Sequence, residues 1–329
     1  MNQMELNQSD HCGHSSCPER SISVTVYILL YVCAAAVVLL TVCGNLLIMI
    51  SVFHFKQLHT PTNTLVLSLA VSDFLIGGFV MLPTFIWMIE SCWIFTPGYC
   101  ICLMITSLFL VNLSIYNVAL VSVDRYLALS NPFFYTNTVT RRQMCIVVYS
   151  NWCLSIVYSS VLCYFNGNLG FVMCPGECFF FLNNVWTVID LVHSFIFPLS
   201  IIIILYTGVF VIARKHATAI RELNNYTRNK TQKITSHSMK SERKAAKVLG
   251  ILVSVFLVCL LPYFIYSLLG GVIDVQRENI LKVFIMAHLN STINPFIYAL
   301  FYPWFRRCIK IIITLQIFQT SSALMNVLS

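Results

Sequence analysis

The sequence predicts an all-α membrane protein: a seven-transmembrane helix bundle followed by a short amphipathic C-terminal helix. Of the 329 residues, 58% are hydrophobic and only 10% are charged, whereas a water-soluble domain carries about 25% charged residues. Seven apolar stretches reach the length of about 20 residues that a helix needs to cross a bilayer. Helices are the expected form, because irregular backbone in lipid would leave its polar groups without hydrogen bonds.

The seven stretches are called span 1 to span 7, in chain order. They cover residues 24–53, 62–88, 101–129, 143–164, 183–213, 245–269 and 281–301. The chain then divides into an N-terminal segment, a transmembrane domain and a cytoplasmic helix and tail, at 1–22, 23–302 and 303–329. We expect the last segment to begin with a short interfacial helix containing Trp304, Phe305 and Cys308, with Cys308 as a candidate for acylation.

The positive charges orient the bundle. With the N-terminus outside, Arg20, Arg277 and Lys282 lie on the outer side, and the other 17 of the 20 Lys and Arg residues lie towards the cytosol. Cytosolic loops of membrane proteins carry such an excess, so we predict a multi-pass protein of the plasma membrane with an extracellular N-terminus. Topology therefore explains the net charge of +8, and we expect contact with membrane lipid and none with nucleic acid. Residues 1–20 are polar, so no cleavable signal peptide is expected.

Part of the cysteine set lies on the predicted extracellular side, an oxidising compartment in which disulfides persist. These cysteines are Cys12, Cys17, Cys92, Cys100, Cys174 and Cys178. A bridge from Cys100, at the start of span 3, to the loop before span 5 would fold that loop over the mouth of the bundle. Among the Asn-x-Ser/Thr matches, only Asn7 is predicted to lie outside and to be accessible, so it is the expected glycosylation site.

Polar residues recur in the predicted interior of the bundle. Asp73 is a carboxylate at membrane depth, and further oxygen atoms come from spans 3 and 7, at Ser114, Asn290, Ser291 and Asn294. Carboxylate, hydroxyl and amide oxygens together suit a small hard cation such as sodium, or a cluster of water molecules. The alternative is that these groups only hydrogen-bond the helices to one another.

The cytosolic end of span 3 carries Asp124-Arg125-Tyr126. An arginine in this position stays charged and requires a carboxylate partner. Glu242, just before span 6, is one candidate, and an Arg125–Glu242 pair would join the ends of two helices as a breakable latch. Prolines inside spans 5, 6 and 7 remove backbone hydrogen bonds and give those helices more than one accessible shape.

Taken in order, these residues resemble the rhodopsin-like G-protein-coupled receptors. The matching set is Asn45, Asp73, Cys100, Asp124-Arg125-Tyr126, Trp152, Pro198, Pro262 and Asn294-Pro295-x-x-Tyr298. The resemblance implies an agonist pocket open to the outside and a G-protein cleft inside, linked by outward movement of span 6. The residues it implies for G-protein coupling are Asp124, Arg125, Tyr126, Glu242 and Tyr298.

A narrower resemblance is to the trace amine-associated receptors, and it lies in residues 54–63, 241–247 and 290–306. It implies a receptor for small amines, in most members an olfactory one, that signals through a stimulatory-type G protein and cyclic AMP. It also implies two disulfides, one from Cys100 to Cys178 and one from Cys174 to an N-terminal cysteine, which is Cys12 or Cys17.

The chain departs from the usual pattern of amine receptors in its predicted pocket. Such receptors place an aspartate seven residues after the cysteine of span 3, and Ser107 stands there. A carboxylate occurs instead on span 5, at Asp190, where a fish-type subset of the family resembles this chain. Leu260 replaces the tryptophan often found before the proline of span 6, and His288 replaces an aromatic residue in span 7.

Asp190 is a lone carboxylate in an apolar run, and a charge at membrane depth costs about 2.5–3.5 kcal/mol even on lenient scales. It therefore requires a partner, and we predict the ammonium group of a ligand. Trp186 and Ser194 are predicted to share its helix face. The resemblance places the other predicted pocket residues on facing helices, at Ser107, Tyr263, Phe264 and His288. A competing interpretation is that His193 or Ser107 satisfies Asp190 without any ligand.

Other function classes are less well supported by the sequence. No nucleophile–base set and no metal-binding motif predicts an enzyme, and apart from the sodium ion we expect no cofactor. A transporter would be expected to show internal repeats, and a light receptor would need a lysine where His288 stands. The remaining alternative is a rhodopsin-like receptor for a ligand that is not an amine. With one deep carboxylate a monoamine is favoured, although Glu90 or Glu177 could hold the second ammonium of a diamine.

Overall fold

The computed structural model describes most of the chain. The described residues are Cys17, 23–165, Gly176, Cys178, 184–226, 232–269, 277–319 and 322–327. The description covers the backbone only at 184, 213, 215–217, 219–226, 232–249, 252, 277, 278 and 280. Helices dominate these residues, and the prediction of a seven-helix bundle is confirmed. Six helices are long and apolar enough to cross a membrane, and span 6 contributes the shorter apolar helix Val253–Leu269.

The helices extend beyond most of the predicted apolar limits. Spans 1 to 4 form the helices Val24–His54, Pro61–Glu90, Pro97–Ser130 and Arg141–Phe165. Span 5 is built from Asn184–Leu191, Val192–Ile196 and Phe197–Tyr226, while spans 6 and 7 form Gln232–Leu269 and Arg277–Phe301. The additions to spans 5 and 6 are polar, and they continue the helix because Ala, Glu, Lys and Arg are good helix formers.

The starts of spans 2 and 3 follow directly from local sequence. The Thr60 hydroxyl accepts a hydrogen bond from the amide of Asn63, and Pro61 occupies the first helical position. Span 3 repeats the arrangement with Thr96 and Pro97. A threonine cap satisfies an amide that has no partner within the helix, and proline fits the first position because its missing N–H is not needed there.

Two spans contain a π-helical segment just before a proline. Ile76–Met81 precedes Pro83 in span 2, and Val192–Ile196 precedes Pro198 in span 5. A proline ring clashes with the carbonyl one turn earlier, and widening that turn relieves the clash. The sequence predicts a weak point at Pro198 but not this wide turn, which sets the positions of the residues just after Asp190.

Polar side chains join spans 2, 3 and 4 near the middle of the bundle. The Trp152 ring N–H donates to the hydroxyl of Ser68, at 3.0 Å, and that hydroxyl donates to Asn117 Oδ1, also at 3.0 Å. The amide of Asn151 donates to the same oxygen. Such hydrogen bonds hold helices together where lipid offers no competing partner.

Spans 1 and 7 approach so closely that Gly44 has no room for a side chain. A Cβ atom at this position would lie 2.9 Å from the Cβ of Pro295.

Spans 3, 5 and 6 meet in a separate apolar core in which Leu260 is buried. In the same core, Phe195 stacks on Phe264 with ring centroids 4.6 Å apart. Leu260 thus occupies a packed position although it is smaller than the tryptophan of the usual pattern.

Two disulfides between described residues lie at the end of the bundle where span 3 begins. Cys100 is bonded to Cys178, as the resemblance implies, and the amide of Trp93 donates to the carbonyl of Gly176 at 2.8 Å. The second disulfide joins Cys17 to Cys92. The prediction that Cys17 could pair with Cys174 is therefore wrong, because Cys92 directly after span 2 lies within bonding reach of it. Cys12, Cys174, Glu177 and the glycosylation site Asn7 lie outside the described residues.

The predicted amphipathic helix follows span 7 as Pro303–Ile313. Its Cys308 is fully buried against Phe55, Leu58 and Val327. The segment Ser322–Val327 covers this site, since the amide of Val327 donates to Gln57 Oε1 at 3.0 Å. The thiol of Cys308 is thus not accessible in this conformation, and its acylation stays a prediction. Burial also raises the pKa of the Cys308 thiol to about 11.

Candidate functional site

A cavity lies between spans 3, 5, 6 and 7, in the half of the bundle that carries the disulfides. Its empty space amounts to about 380 Å³, counting the part that is open to solvent. The walls combine one carboxylate with apolar and aromatic side chains and a few hydroxyl groups. The lining residues are Ser107, Leu108, Val111, Asn112, Asp190, Ser194, Tyr263, Phe264, Phe284, Ala287 and His288.

Asp190 is the only carboxylate among the described residues of this lining and is 6% exposed. The hydroxyls of Tyr158 and Ser194 donate to its Oδ1 atom, at 2.9 and 2.8 Å. Ser194 Oγ in turn accepts a hydrogen bond from Asn112 Nδ2, at 2.9 Å. No described residue donates a hydrogen bond to Oδ2 of Asp190 or forms an ion pair with it. Oδ2 therefore keeps its lone pairs without a partner among the described residues, and Asp190 lines the cavity.

The ring of His193 supports Asp190 indirectly. It stacks on the ring of Tyr158, with centroids 3.7 Å apart and planes 14° from parallel. Tyr116 of span 3 donates its hydroxyl to the carbonyl of His193, at 3.0 Å, which fixes the backbone just below. The competing interpretation in which His193 or Ser107 satisfies Asp190 is not what the structure shows, because Tyr158 and Ser194 fill that role.

Ser107 and His288 form a hydrogen-bonded pair in the same cavity. His288 Nδ1 lies 2.6 Å from the carbonyl oxygen of Phe284, and a carbonyl only accepts, so Nδ1 carries a hydrogen. In the neutral imidazole Nε2 is then an acceptor. Ser107 Oγ, 3.1 Å from Nε2, donates its hydrogen to it. The position that holds an aspartate in the usual amine receptors is thus occupied by a neutral pair.

A second polar cluster surrounds Asp73, which is fully buried. Ser291 Oγ donates to Oδ1 at 2.8 Å, Ser114 Oγ to the same atom at 3.4 Å, and Asn294 Nδ2 to Oδ2 at 2.8 Å. Three of the four partners that the sequence suggests therefore meet at this carboxylate. Asn290 is buried nearby in span 7 but forms no hydrogen bond with Asp73.

At the opposite end of the bundle from this cavity, Asp124 is the described partner of Arg125. Arg125 Nη2 lies 2.7 Å from Asp124 Oδ2, and Arg125 also donates to Thr62. The hydroxyl of Tyr135 donates to Asp124 Oδ1 at 2.6 Å. Burial and this hydrogen bond raise the pKa of the Tyr135 phenol to about 12. The side chain of Glu242 lies outside the described part, so the proposed latch to span 6 stays a prediction.

Comparison with known proteins decides the family. Residues 44–298 match the sequence model of the family described as 7 transmembrane receptor (rhodopsin family). The chain is 36% identical to trace amine-associated receptor 13c of Danio rerio, over 99% of this chain and 98% of that protein. It is 38% identical to trace amine-associated receptor 6 of Pan troglodytes, over 96% of this chain and 94% of that protein, and 34% identical to trace amine-associated receptor 4 of Mus musculus, over 94% and 92%.

The chain belongs to the trace amine-associated receptors. Both predicted resemblances are confirmed, and so are the predictions of a multi-pass membrane protein and of a receptor without enzymatic activity. Receptors of this family act between a small-molecule agonist and a heterotrimeric G protein. The cavity around Asp190 and the cluster around Arg125 lie at the two ends of the receptor that these partners would contact.

The receptor places most of the predicted pocket residues around one cavity, but Trp186 is not among them. Its ring stacks on Phe165 at the end of span 4, with centroids 5.8 Å apart. Phe165 and Tyr158, which donates to Asp190, both belong to span 4, so Trp186 and Asp190 face the same neighbouring helix, as four-residue spacing predicts. Trp186 meets span 4 near its end, outside the described lining of the cavity, and its role in ligand binding stays a prediction.

Some functional residues of the receptor were missed in the sequence. Tyr158 stands in an ordinary aromatic and apolar stretch of span 4, and nothing local distinguishes it from a residue that only packs. Asn112 carried a signal, because an amide in the middle of span 3 requires a partner. Tyr126 and Tyr298 pack in apolar clusters in this conformation, Tyr126 with Leu129 and Val209, and their part in G-protein coupling stays a prediction.

Proposed function

We propose that this receptor detects small amines whose ammonium group binds Asp190. On this proposal it lies in the plasma membrane with its N-terminus outside, serves olfaction, and signals through a stimulatory-type G protein that raises cyclic AMP. The observation that carries the proposal is the buried carboxylate of Asp190 in the cavity lining, whose Oδ2 atom has no partner among the described residues. The shared family name of its relatives supports an amine as the ligand.

Charge balance favours a cationic ligand. The hydroxyls of Tyr158 and Ser194 orient the carboxylate of Asp190, but they are neutral and leave its charge in place. A buried charge is tolerated when it is paired and hydrogen-bonded, and an ammonium N–H donated to Oδ2 would achieve both. The rings of Tyr263 and Phe264 line the same cavity and offer faces that attract a cation.

A monoamine fits better than a diamine. Asp190 is the single carboxylate among the described residues of the cavity lining. Glu90, one of the two acidic groups considered for a diamine, accepts hydrogen bonds from Tyr27, at 2.5 Å, and from Tyr31, and it is not part of that lining. Glu177, the other group, lies outside the described residues, so the described lining offers a carboxylate to one ammonium group.

We also propose that the Asp73 cluster holds a sodium ion. The hydroxyl oxygens of Ser114 and Ser291 stand beside the carboxylate and would ligate the ion together with it. Asn45 Oδ1 is buried nearby without a hydrogen-bond partner among the described residues, while its amide donates to the carbonyl of Ser291 at 3.1 Å. An unused buried oxygen fits a site that takes up an ion or water.

An agonist screen tests the main proposal. Cells that express the receptor are exposed to small amines and to neutral molecules of the same shape, and cyclic AMP is measured in parent cells and in cells without the stimulatory G-protein α subunit. Amines should raise cyclic AMP only in the parent cells, and the neutral analogues should fail in both. A neutral molecule as the best agonist would refute the ammonium site, and a response that persists without the α subunit would refute the coupling.

The sodium site is tested separately on purified receptor. Bound ions stabilise a folded protein in proportion to the logarithm of their concentration, so sodium should raise the melting temperature more than potassium does. Asp73→Asn should remove this difference. Identical responses of the unmodified receptor to the two ions would refute the site.

A further inference from the structure

The Ser107–His288 pair gives the ligand cavity a second polar point with a defined hydrogen-bonding character. The hydrogen on Ser107 Oγ is directed to His288 Nε2, because Nδ1 of the same ring donates to the carbonyl of Phe284. Ser107 Oγ therefore has lone pairs to offer but no hydrogen. A ligand group that meets it must be a donor, such as a hydroxyl or a neutral N–H.

Apolar side chains line the same cavity as these two polar points. They include Leu108 and Val111 on span 3 and Ala287 on span 7. Such a surface suits an unsubstituted hydrocarbon linker, because burial of CH₂ groups is favourable. The cavity thus combines a charged acceptor, apolar walls and a neutral acceptor.

We infer that the preferred ligands are amino alcohols: amines that carry, away from the ammonium group, a hydroxyl that donates to Ser107. The inference rests on the proposed function, in which Asp190 holds the ammonium. It adds a ligand class that the family comparison does not specify.

The neutrality of the second point distinguishes an amino alcohol from a diamine. An ammonium group at Ser107 would lose its hydration and find only a hydroxyl and a neutral imidazole, which is costly for a buried charge. A hydroxyl loses far less on desolvation and recovers it in the hydrogen bond. Tyr263 also lines the cavity, and its hydroxyl forms no hydrogen bond with a described residue, so it is a further partner open to a ligand hydroxyl.

The test measures binding directly, with four ligands at each chain length: the alkylamine, the amino alcohol, its methyl ether and the diamine. Affinity is taken from the shift in melting temperature of the purified receptor, so that the choice of G protein does not enter. The amino alcohol should bind about 3- to 10-fold more tightly than the alkylamine. The ether accepts but does not donate, so it should lose this advantage.

Matched variants then assign the advantage to one side chain. Ser107→Ala should abolish the preference for the hydroxyl, whereas Ser122→Ala should keep it. Ser122 is buried on the same helix, and its hydroxyl donates to the carbonyl of Val118. His288→Phe removes the acceptor and frees the Ser107 hydrogen, so the ether should gain relative to the alcohol. This variant gives a change of preference even where Ser107→Ala proves unstable.

The outcomes separate the inference from the proposed function. If amines bind and Asp190→Asn abolishes their binding, but the hydroxyl brings no gain or the gain survives Ser107→Ala, the inference is wrong and the ammonium site stands. A diamine that binds more tightly than the amino alcohol also overturns the inference. If Asp190→Asn leaves amine binding unchanged, both the ammonium site and the inference fail.

Discussion

Replacement of Asp190 by Asn removes the charge of the proposed ammonium site and little else. The asparagine has the same shape and keeps an oxygen to which Tyr158 and Ser194 can donate, as they do now at 2.9 and 2.8 Å. The bound ammonium, however, would lose its counter-charge at a site that is 6% exposed. Removing one partner of a buried charge pair costs about 2–5 kcal/mol. We expect about 2–4 kcal/mol here, which weakens agonist affinity about 30- to 1000-fold.

The assay is a competition binding curve and a cyclic AMP concentration–response curve, both corrected for the number of receptors at the cell surface. Glu90→Gln is the matched control, because it neutralises another carboxylate that is bonded to Tyr27 and Tyr31 and lies outside the cavity lining. It should leave monoamine affinity within about threefold of the unmodified receptor. Equal affinities of Asp190→Asn and the unmodified receptor, at normal surface expression, would refute the reasoning.

Three further changes test contacts away from the cavity. Deletion of Ser322–Val327 should uncover Cys308, whose burial raises its pKa to about 11. The thiolate population of the exposed thiol should then recover, so maleimide labelling at neutral pH should rise about 100-fold. Mass spectrometry measures the labelling. Asp124→Asn breaks the ion pair with the neighbouring arginine, which is 25% exposed, and should raise agonist-independent cyclic AMP about 3- to 10-fold. Gly44→Ala should lower the free energy of unfolding by about 1–3 kcal/mol, because the new Cβ would lie 2.9 Å from a proline Cβ of span 7. Gly78→Ala, with no atom within 4 Å, should instead raise it by about 0.5–1 kcal/mol.

Each of these changes has its own contrary result. The labelling of Cys145, which is exposed, serves as the reference, and a Cys308-to-Cys145 ratio unaffected by the deletion would show that the segment does not protect the thiol. Ser122→Ala should keep the basal signal of the unmodified receptor, and an Asp124→Asn receptor that does the same would argue against a restraining ion pair. Equal melting temperatures of the two alanine variants would contradict the tight contact between spans 1 and 7.

Properties that depend on local composition follow from the sequence by itself. The count of spans and the amphipathic helix follow from hydropathy, since lipid accepts only apolar helices. Asp190 is identifiable for the same reason, because a carboxylate in such a run requires a partner wherever the helices are placed. The family motifs are also recognisable, because they consist of residues in a fixed order along the chain.

The partners of these residues depend on how the helices are rotated and stacked. Tyr158 reaches Asp190 from span 4, and the ring of Trp186 stacks on Phe165 near the end of the same span. Cys17 bonds to Cys92, a choice that spacing along the chain does not reveal. The character of Ser107 as an acceptor follows from His288 and the carbonyl behind it. Hydrogen bonds are short-ranged and directional, so their assignment requires the folded arrangement of spans that are distant in the chain.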